Sequence, residues 1–260
     1  MSTSSGCLRG EVAIVTGGSR GIGLETVKKF ASEGARVVFC GRDESVGLQA
    51  TENIGHRGQV SFVACDVSNE NDVSGLVDHC AQLFGMPSII VNNAGVNANF
   101  DATEMTESEW DNFFGTDLKA SWLTCKYGLR GMIKAGRGSI INVSSIHGLV
   151  SLEGFFPYGA AKAGLLGLTR NLALDYGPIG IRVNAVCPGF TRTRLVQESI
   201  DRNDDKGDAE SKMVAGVALR RIAEPNEIAN VIAFLASEEA SYVTGATILV
   251  DGGLTARRSG

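Results

Sequence analysis

The chain has 260 residues, 43% of them apolar and 20% charged, a balance that supports a sizeable packed core and excludes a disordered chain. Twenty-four basic against 29 acidic side chains leave a net charge of -5 with no basic cluster, which excludes nucleic acid and anionic membrane as partners. No run of ~18 apolar residues and no basic-then-apolar N-terminus occurs, so a cytoplasmic protein with no membrane span is predicted.

Val12 to Thr16 (VAIVT) is a short apolar, β-branched run, followed by glycines and then a helical pattern from about Ile22 to Glu33. This strand, turn and helix recur. Arg36 to Cys40 reads as strand, Glu44 to Ile54 as helix, Val60 to Ala64 as strand, Glu70 to Phe84 as helix and Ser88 to Asn92 as strand. Thr106 and Glu109 then form a Thr-x-x-Glu capping box that opens one long helix running to about Lys134, where Gly136 and Gly138 stop it. A strand from Ser139 to Val143, a helix from about Tyr158 to Tyr176 and a strand from Ile181 to Val186 follow. After an acidic, polar loop region come a Pro-started helix, Pro225 to Ala236, and a last strand, Thr247 to Val250.

Short strands that are apolar on both faces, each separated by a helix, require a parallel sheet covered on both sides. The predicted fold is α/β: a single doubly wound Rossmann-type domain over residues 1–260 with a mainly parallel seven-stranded sheet. The polar stretch Glu198 to Lys212 is an excursion from its edge, and its acidic run of Asp201, Asp204, Asp205 and Asp208 reads as solvated surface. The six cysteines show no CxxC or CxxH spacing and are predicted to be reduced and structural. His56, His79 and His147 lie far apart with no HExxH, so no metal site is expected.

Thirty-three glycines, where a usual ~7% would give about 18, point to positional roles. The densest group, Thr16 to Gly23 (TGGSRGIG), ends the first strand and opens the first helix. A helix N-terminus offers unpaired N–H groups and a positive dipole end, and the absence of side chains lets a pyrophosphate approach. Gly17, Ser19, Arg20, Gly21, Ile22 and Gly23 are therefore candidate dinucleotide ligands. Gly17, Ser19 and Gly21 also satisfy G-x-S-x-G, the nucleophile elbow of α/β-hydrolases, but an elbow after the first strand lacks earlier strands to supply its oxyanion loop.

Cofactor choice is made at the end of the second strand, where an NAD enzyme places a carboxylate for the ribose 2'-hydroxyl. Gly41 stands there instead and leaves room for a 2'-phosphate, which Arg42 and Arg20 could clamp. NADP(H) is predicted over NAD(H). The alternative is that Arg42 is a solvated charge and Asp43 serves a 2'-hydroxyl.

Tyr158 and Lys162, four apart at the start of a helix, project from one face about one turn apart, and Ser145 ends the preceding strand. All three can reach the nicotinamide end of a cofactor lying over the carboxyl ends of the strands. A phenol whose ordinary pKa is near ~10 is a poor acid or base at neutral pH, so a neighbouring ammonium is needed to stabilise its phenolate.

These motifs, together with Asp66-Val67, NNAG at Asn92 to Gly95, and Pro188-Gly189 followed by Thr193, make the chain similar over nearly its whole length to the short-chain dehydrogenase/reductase family. The resemblance implies that Tyr158 is the acid/base, that Lys162 lowers its pKa and holds the cofactor ribose, and that Ser145 orients the carbonyl. It further implies that Asp66 and Val67 bracket the adenine and that Asn93, Ala94 and Gly95 secure the central strand behind the cofactor. Pro188, Gly189 and Thr193 would dock the carboxamide, with Thr191 beside them in the cofactor set, and a homotetramer is expected. One departure matters: where the family has Asn within N-L-x-G, this chain has Asp117-Leu118-Lys119-Ala120. The family residue helps carry a relay water through its main-chain carbonyl, which Asp117 retains, but its carboxylate could instead pair with Lys162 or hold a different water.

Residues 191–215 are expected to fold over the substrate as a lid. Leu149, Leu152, Phe155 and Phe156, with His147, are expected to line an apolar pocket for a ketone or secondary alcohol, the kind of substrate taken by the family's carbonyl reductases and hydroxysteroid dehydrogenases. The predicted activity is hydride transfer between NADP(H) and such a substrate. An NAD-dependent alcohol dehydrogenase and a dinucleotide-binding regulator impaired by Asp117 are the alternatives.

Overall fold

The structure, a computed structural model, describes residues 6–56, 58–201 and 206–256. The apolar runs become β1 (Val12–Thr16), β2 (Arg36–Gly41), β3 (Val60–Ala64), β4 (Ile89–Asn92), β5 (Gly138–Val143), β6 (Ile181–Pro188) and β7 (Thr247–Val250). They form one sheet in the order β3-β2-β1-β4-β5-β6-β7, and every neighbouring pair is parallel, so the sheet is wholly rather than mainly parallel.

Parallel neighbours need crossovers, which are supplied by α1 (Gly21–Ser32), α2 (Glu44–Ile54), α3 (Glu70–Leu83), α4 (Glu107–Phe114), α5 (Ala120–Ala135), α6 (Tyr158–Tyr176) and α9 (Pro225–Ala236). Alternate residues of each strand go to opposite faces. Ala13, Val15, Val37, Phe39 and Ile141 pack with Val27 and Phe30 of α1 and Ile228 and Ile232 of α9. Val12, Ile14 and Val38 pack the other way, against Val73 and Leu76 of α3 and Leu123 of α5. Both faces are therefore covered by helices, which is why these strands carry no polar stripe. The order of strands reverses between β1 and β4, and the crevice this opens at their carboxyl ends positions the site.

Two elements differ from the sequence-based expectation. The long helix is interrupted: Thr106 and Glu109 close their capping box as expected, but after α4 the backbone widens into a π-helical turn, Gly115–Lys119, before α5 resumes. The Ala120 N–H there donates to the Gly115 carbonyl, five residues back, and such turns recur at functional sites because they re-aim one side chain. The polar stretch is largely helical among the described residues. It forms α7 (Arg194–Asp201) and α8 (Lys206–Ala215), because Ala, Glu, Gln, Lys and Met supply helix propensity that outweighs the acidic run. Arg192 fastens this segment by pairing with Glu210 of α8 at 2.9 Å and with Glu224, the residue before α9, at 3.2 Å. Asp204 and Asp205 of the acidic run lie outside the described residues.

All six cysteines are free thiols, and all but Cys7 are buried. Among the described residues no helix is long and apolar enough to cross a membrane.

Candidate active site

Thr16 ends β1 and ties it to the end of β4. Its Oγ1 accepts from the N–H groups of Asn93 and Ala94, both at 3.0 Å, while Asn93 Nδ2 donates to the Thr16 and Gly17 carbonyls at 2.9 and 3.1 Å. Asn93 and Ala94 thus brace the glycine turn. Gly17 has φ +64°, open to glycine without strain. A Cβ on Gly23 would lie 2.2 Å from the Gly17 carbonyl oxygen, so the turn can close against α1 only with glycine there. Arg20 occupies the N-cap of α1 without a side-chain capping bond, and the first turn holds no acidic residue, so its N–H groups and positive end face the crevice. The Ser19 hydroxyl beside them is buried without a hydrogen-bond partner, a cost that an incoming anion would remove. Thr193 stands across this turn, with a Cβ on Gly21 falling 3.3 Å from its methyl group.

At the end of β2, Gly41 leaves space bounded by the Ser19 hydroxyl, 2.7 Å from where a Cβ would sit. Arg42 is exposed. Asp43 N-caps α2, its Oδ1 accepting from Ser45 Oγ at 2.8 Å and Val46 N–H at 3.2 Å, and these bonds hold its carboxyl below the ordinary range. Arg20 lies 3.7 Å from it, with both side chains about half exposed, an arrangement that costs little to break. Beyond β3, Asp66 Oδ1 accepts from the Ser68 hydroxyl at 2.7 Å and the Ser68 N–H at 2.9 Å, which holds this carboxyl low as well, and Val67 is buried beside it.

Ser145 follows β5 and caps a short 3-10 turn, Ile146–Gly148, its Oγ accepting from the His147 N–H at 3.2 Å. The neighbouring Ser144 hydroxyl donates to the Lys162 carbonyl at 2.9 Å and so fastens this turn to α6. Tyr158 and Lys162 occupy successive turns of α6, with Lys162 Nζ 5.3 Å from the Tyr158 ring centroid. The three residues singled out from the sequence are thus brought to one place. His147 stacks on Phe155 at 4.2 Å and meets the Tyr158 ring edge-on at 5.7 Å. Burial pushes its imidazole pKa down, so the ring is neutral at pH 7. Leu149, Leu152 and Phe156 are 51%, 57% and 37% exposed and form an open apolar rim, not a closed pocket.

The π turn delivers Asp117 into this site. Its Oδ1 accepts from the Val96 N–H at 2.7 Å and its Oδ2 lies 3.1 Å from Lys162 Nζ, both side chains being almost wholly buried. Burial by itself would pull the Lys162 ammonium down, but the Asp117 carboxylate and then Tyr158 act against it, and the net direction is upward. Beneath the site runs a buried chain in which Asn92 Nδ2 donates to Asn142 Oδ1 and Asn142 Nδ2 to Thr169 Oγ1, each at 2.8 Å. Neither this chain nor the Ser144 bond was visible as a motif. Gly115 in the middle of a helical pattern was the one hint of the π turn.

Pro188 closes β6, and the Gly189 N–H donates to the Val250 carbonyl at 3.0 Å. Thr191 is buried in a bridge to Ala223, so this segment leads from the sheet directly to α7 and α8.

Comparison with known proteins agrees with this geometry. A family model described as enoyl-(acyl carrier protein) reductase, of the short-chain dehydrogenase/reductase type, matches residues 17–255. The chain is 39% identical to a 3-oxoacyl-[acyl-carrier-protein] reductase of Chlamydia trachomatis over 252 residues, covering 96% of this chain and 99% of the relative. It is 41% identical over 248 residues to cis-4-hydroxycyclohexanecarboxylate dehydrogenase of Sinomonas cyclohexanicum, covering 94% and 96%. The ligand-free aldohexose dehydrogenase of Thermoplasma acidophilum superposes with a TM-score of 0.88 at 32% identity, over 98% of both chains. With a wholly parallel doubly wound sheet, a glycine turn at its switch point and Ser145, Tyr158 and Lys162 gathered beside it, the chain belongs to the short-chain dehydrogenase/reductase family of oxidoreductases.

Proposed function

We propose that the protein interconverts a largely apolar ketone and a secondary alcohol using NADP(H). The observation that carries this is the convergence of Ser145, Tyr158 and Lys162 at the carboxyl end of the sheet, next to a glycine turn whose Ser19 hydroxyl is buried and unpartnered. These residues fit a dinucleotide: Gly17, Ser19, Gly21, Ile22 and Gly23 would hold the pyrophosphate, Asp66 and Val67 the adenine, Lys162 the ribose, and Pro188, Gly189, Thr191 and Thr193 the carboxamide end. When bound, the nicotinamide supplies or takes up the hydride.

The protein's own part is the proton. Ser145 Oγ already accepts from the His147 N–H, which leaves its hydrogen free to donate to the substrate oxygen. Tyr158 gives its hydroxyl proton to that oxygen as negative charge develops on it in reduction, and takes it back in oxidation. Lys162 supplies positive charge beside the phenol, its Nζ 5.3 Å from the ring centroid. The relatives' names cover a 3-oxoacyl group, a cyclic hydroxy acid and a sugar, so the family chemistry does not select among them. Selection would rest on the apolar rim of Leu149, Leu152, Phe155 and Phe156.

The test is a panel of aliphatic, aromatic and steroid ketones, 3-oxoacyl thioesters and cyclic alcohols assayed with each nucleotide. Turnover with at least one class of ketone is expected. Failure with all of them, together with tight nucleotide binding, would identify a dinucleotide-binding regulator instead.

The preference for NADP(H) is supported by the absent side chain at Gly41, the exposed Arg20 and Arg42, and the commitment of Asp43 to capping α2. Each charge-assisted contact to a 2'-phosphate contributes about 1.5–3 kcal/mol, roughly ten- to a hundredfold in affinity. The ratio of kcat/KM for NADPH over NADH is expected to be well above one and to fall with salt. Gly41→Asp should reverse it, at the small cost of rotating the Ser19 hydroxyl away from the new Cβ. A wild type that prefers NADH would reduce Arg42 to a surface charge.

A homotetramer fits the exposed apolar residues on the outer helices, notably Trp122 of α5 at 46% and Leu174 of α6 at 76%. Light scattering at micromolar concentration should give four chains, and a monomer would remove the idea.

A further inference from the structure

A lysine whose ammonium is this deeply buried needs a counter-charge, because an isolated charge in a dry site is strongly disfavoured. Several groups face Lys162 and the phenol it serves. From α6 itself comes Tyr158, from β6 the Cys187 thiol, from the 146–148 turn the His147 ring, and from the π turn Asp117. Burial pushes the Cys187 thiol up and the His147 imidazole down, so both are neutral at pH 7. The compensating charge within 4 Å is the Asp117 carboxylate.

Its two oxygens have separate tasks. Oδ1 takes the Val96 N–H, and Oδ2 has no partner other than the Lys162 ammonium. An amide in the same pose could accept only one of these and would turn an NH2 donor toward the other, so the arrangement demands a carboxylate. The contact also needs a glycine beside it: a Cβ on Gly95 would fall 3.1 Å from Asp117 Oδ2 and 3.2 Å from Lys162 Nζ.

The geometry points to Asp117 as the counter-ion that keeps Lys162 charged and in place before any nucleotide arrives, a positioning role that the Asn of the family pattern would not fill. It deepens the oxidoreductase reading by extending proton transfer at Tyr158 into alkaline pH. Lys162 would stay an ammonium there without help from a bound ligand.

The test reads Lys162 directly, apart from turnover. The protein is labelled at lysine Cε with carbon-13, the Lys162 resonance is assigned by its loss in Lys162→Arg, and its chemical shift is followed against pH in the full chain without nucleotide. The wild-type resonance is expected to remain that of an ammonium up to at least the ordinary lysine value of 10.5. In Asp117→Asn and Asp117→Ala, burial loses its largest opponent, and titration should begin about two pH units lower. The oxidation rate should acquire a matching alkaline fall in both variants. A wild-type Lys162 that titrates below 10.5 overturns the assignment without any variant. Midpoints unchanged in the variants also overturn it, as does failure of both to fold, which would make Asp117 a structural group. Absence of turnover on every substrate, with the shift of the Lys162 resonance intact, would count against the proposed activity and leave the counter-ion role standing.

Discussion

Tyr158→Phe is expected to lower kcat by roughly a hundred- to ten-thousandfold, the range for losing a positioned acid/base, while leaving NADPH affinity nearly unchanged. The substitution removes one oxygen and its proton and keeps the ring that packs edge-on against His147, so neither α6 nor the 146–148 turn should move. Steady-state rates on the best ketone of the panel, with nucleotide binding followed by fluorescence, separate the two effects. If the Phe variant retains more than a small fraction of the wild-type rate, Tyr158 is not the proton donor. If it loses nucleotide affinity in parallel, the hydroxyl is a binding group.

Lys162→Ala should damage both chemistry and folding. Loss of the ammonium removes the positive charge beside Tyr158, and it also leaves the Asp117 carboxylate buried with only the Val96 N–H for company. Removing one partner of a buried ion pair costs about 3–5 kcal/mol. Urea denaturation of the nucleotide-free protein checks this, with Tyr158→Phe as a control expected to unfold near the wild type. The Lys162 pKa lies above its ordinary value in the folded protein, so the stabilisation from pairing is fully present below pH 10.5 and fades only as pH rises past the folded value. The deficit of the variant should therefore be constant from neutral to mildly alkaline pH. A deficit under about 1 kcal/mol would place the pair among those worth no more than exposed ones.

Much of the fold could be read before any coordinates because the relevant signals are local. VAIVT and the other apolar runs alternate with helical periods, which forces a parallel sheet covered on both faces, and TGGSRGIG follows the first strand closely enough to mark the switch point. Tyr158 and Lys162 were legible because i and i+4 share a helix face whatever the tertiary structure. Asp117 was legible as an oddity, but its partner was not settled. The choice between Lys162 and a water depends on where the π turn aims the carboxylate, and a π turn has no sequence rule beyond a suggestive glycine. The helices Arg194–Asp201 and Lys206–Ala215 stand where the sequence pattern reads as a polar loop, because helix propensity outweighs charge density there. Asp43 shows the same limit at a single residue: one position past Arg42 it could serve a ribose or cap a helix, and only the fold shows Val46 N–H at 3.2 Å.

The buried chain from Asn92 through Asn142 to Thr169 works as a dowel pin between the sheet and α6. Thr169 lies seven residues beyond Lys162 and eleven beyond Tyr158, so all three share one stripe of the helix, and pinning the first fixes the height and rotation of the others. A slide of α6 by even one residue would strand at least one buried amide or hydroxyl, each costing about 1–3 kcal/mol. The proton-transfer pair is thus located from the centre of the sheet below it, whereas the apolar rim at 149–156 joins α6 at its first turn, where the Gly159 N–H donates to the Phe155 carbonyl at 3.3 Å. Phe155 stacks on the His147 ring that meets Tyr158, so recutting the rim for another ketone without disturbing the alignment of Tyr158 and Lys162 means confining the changes to the exposed Leu149, Leu152 and Phe156.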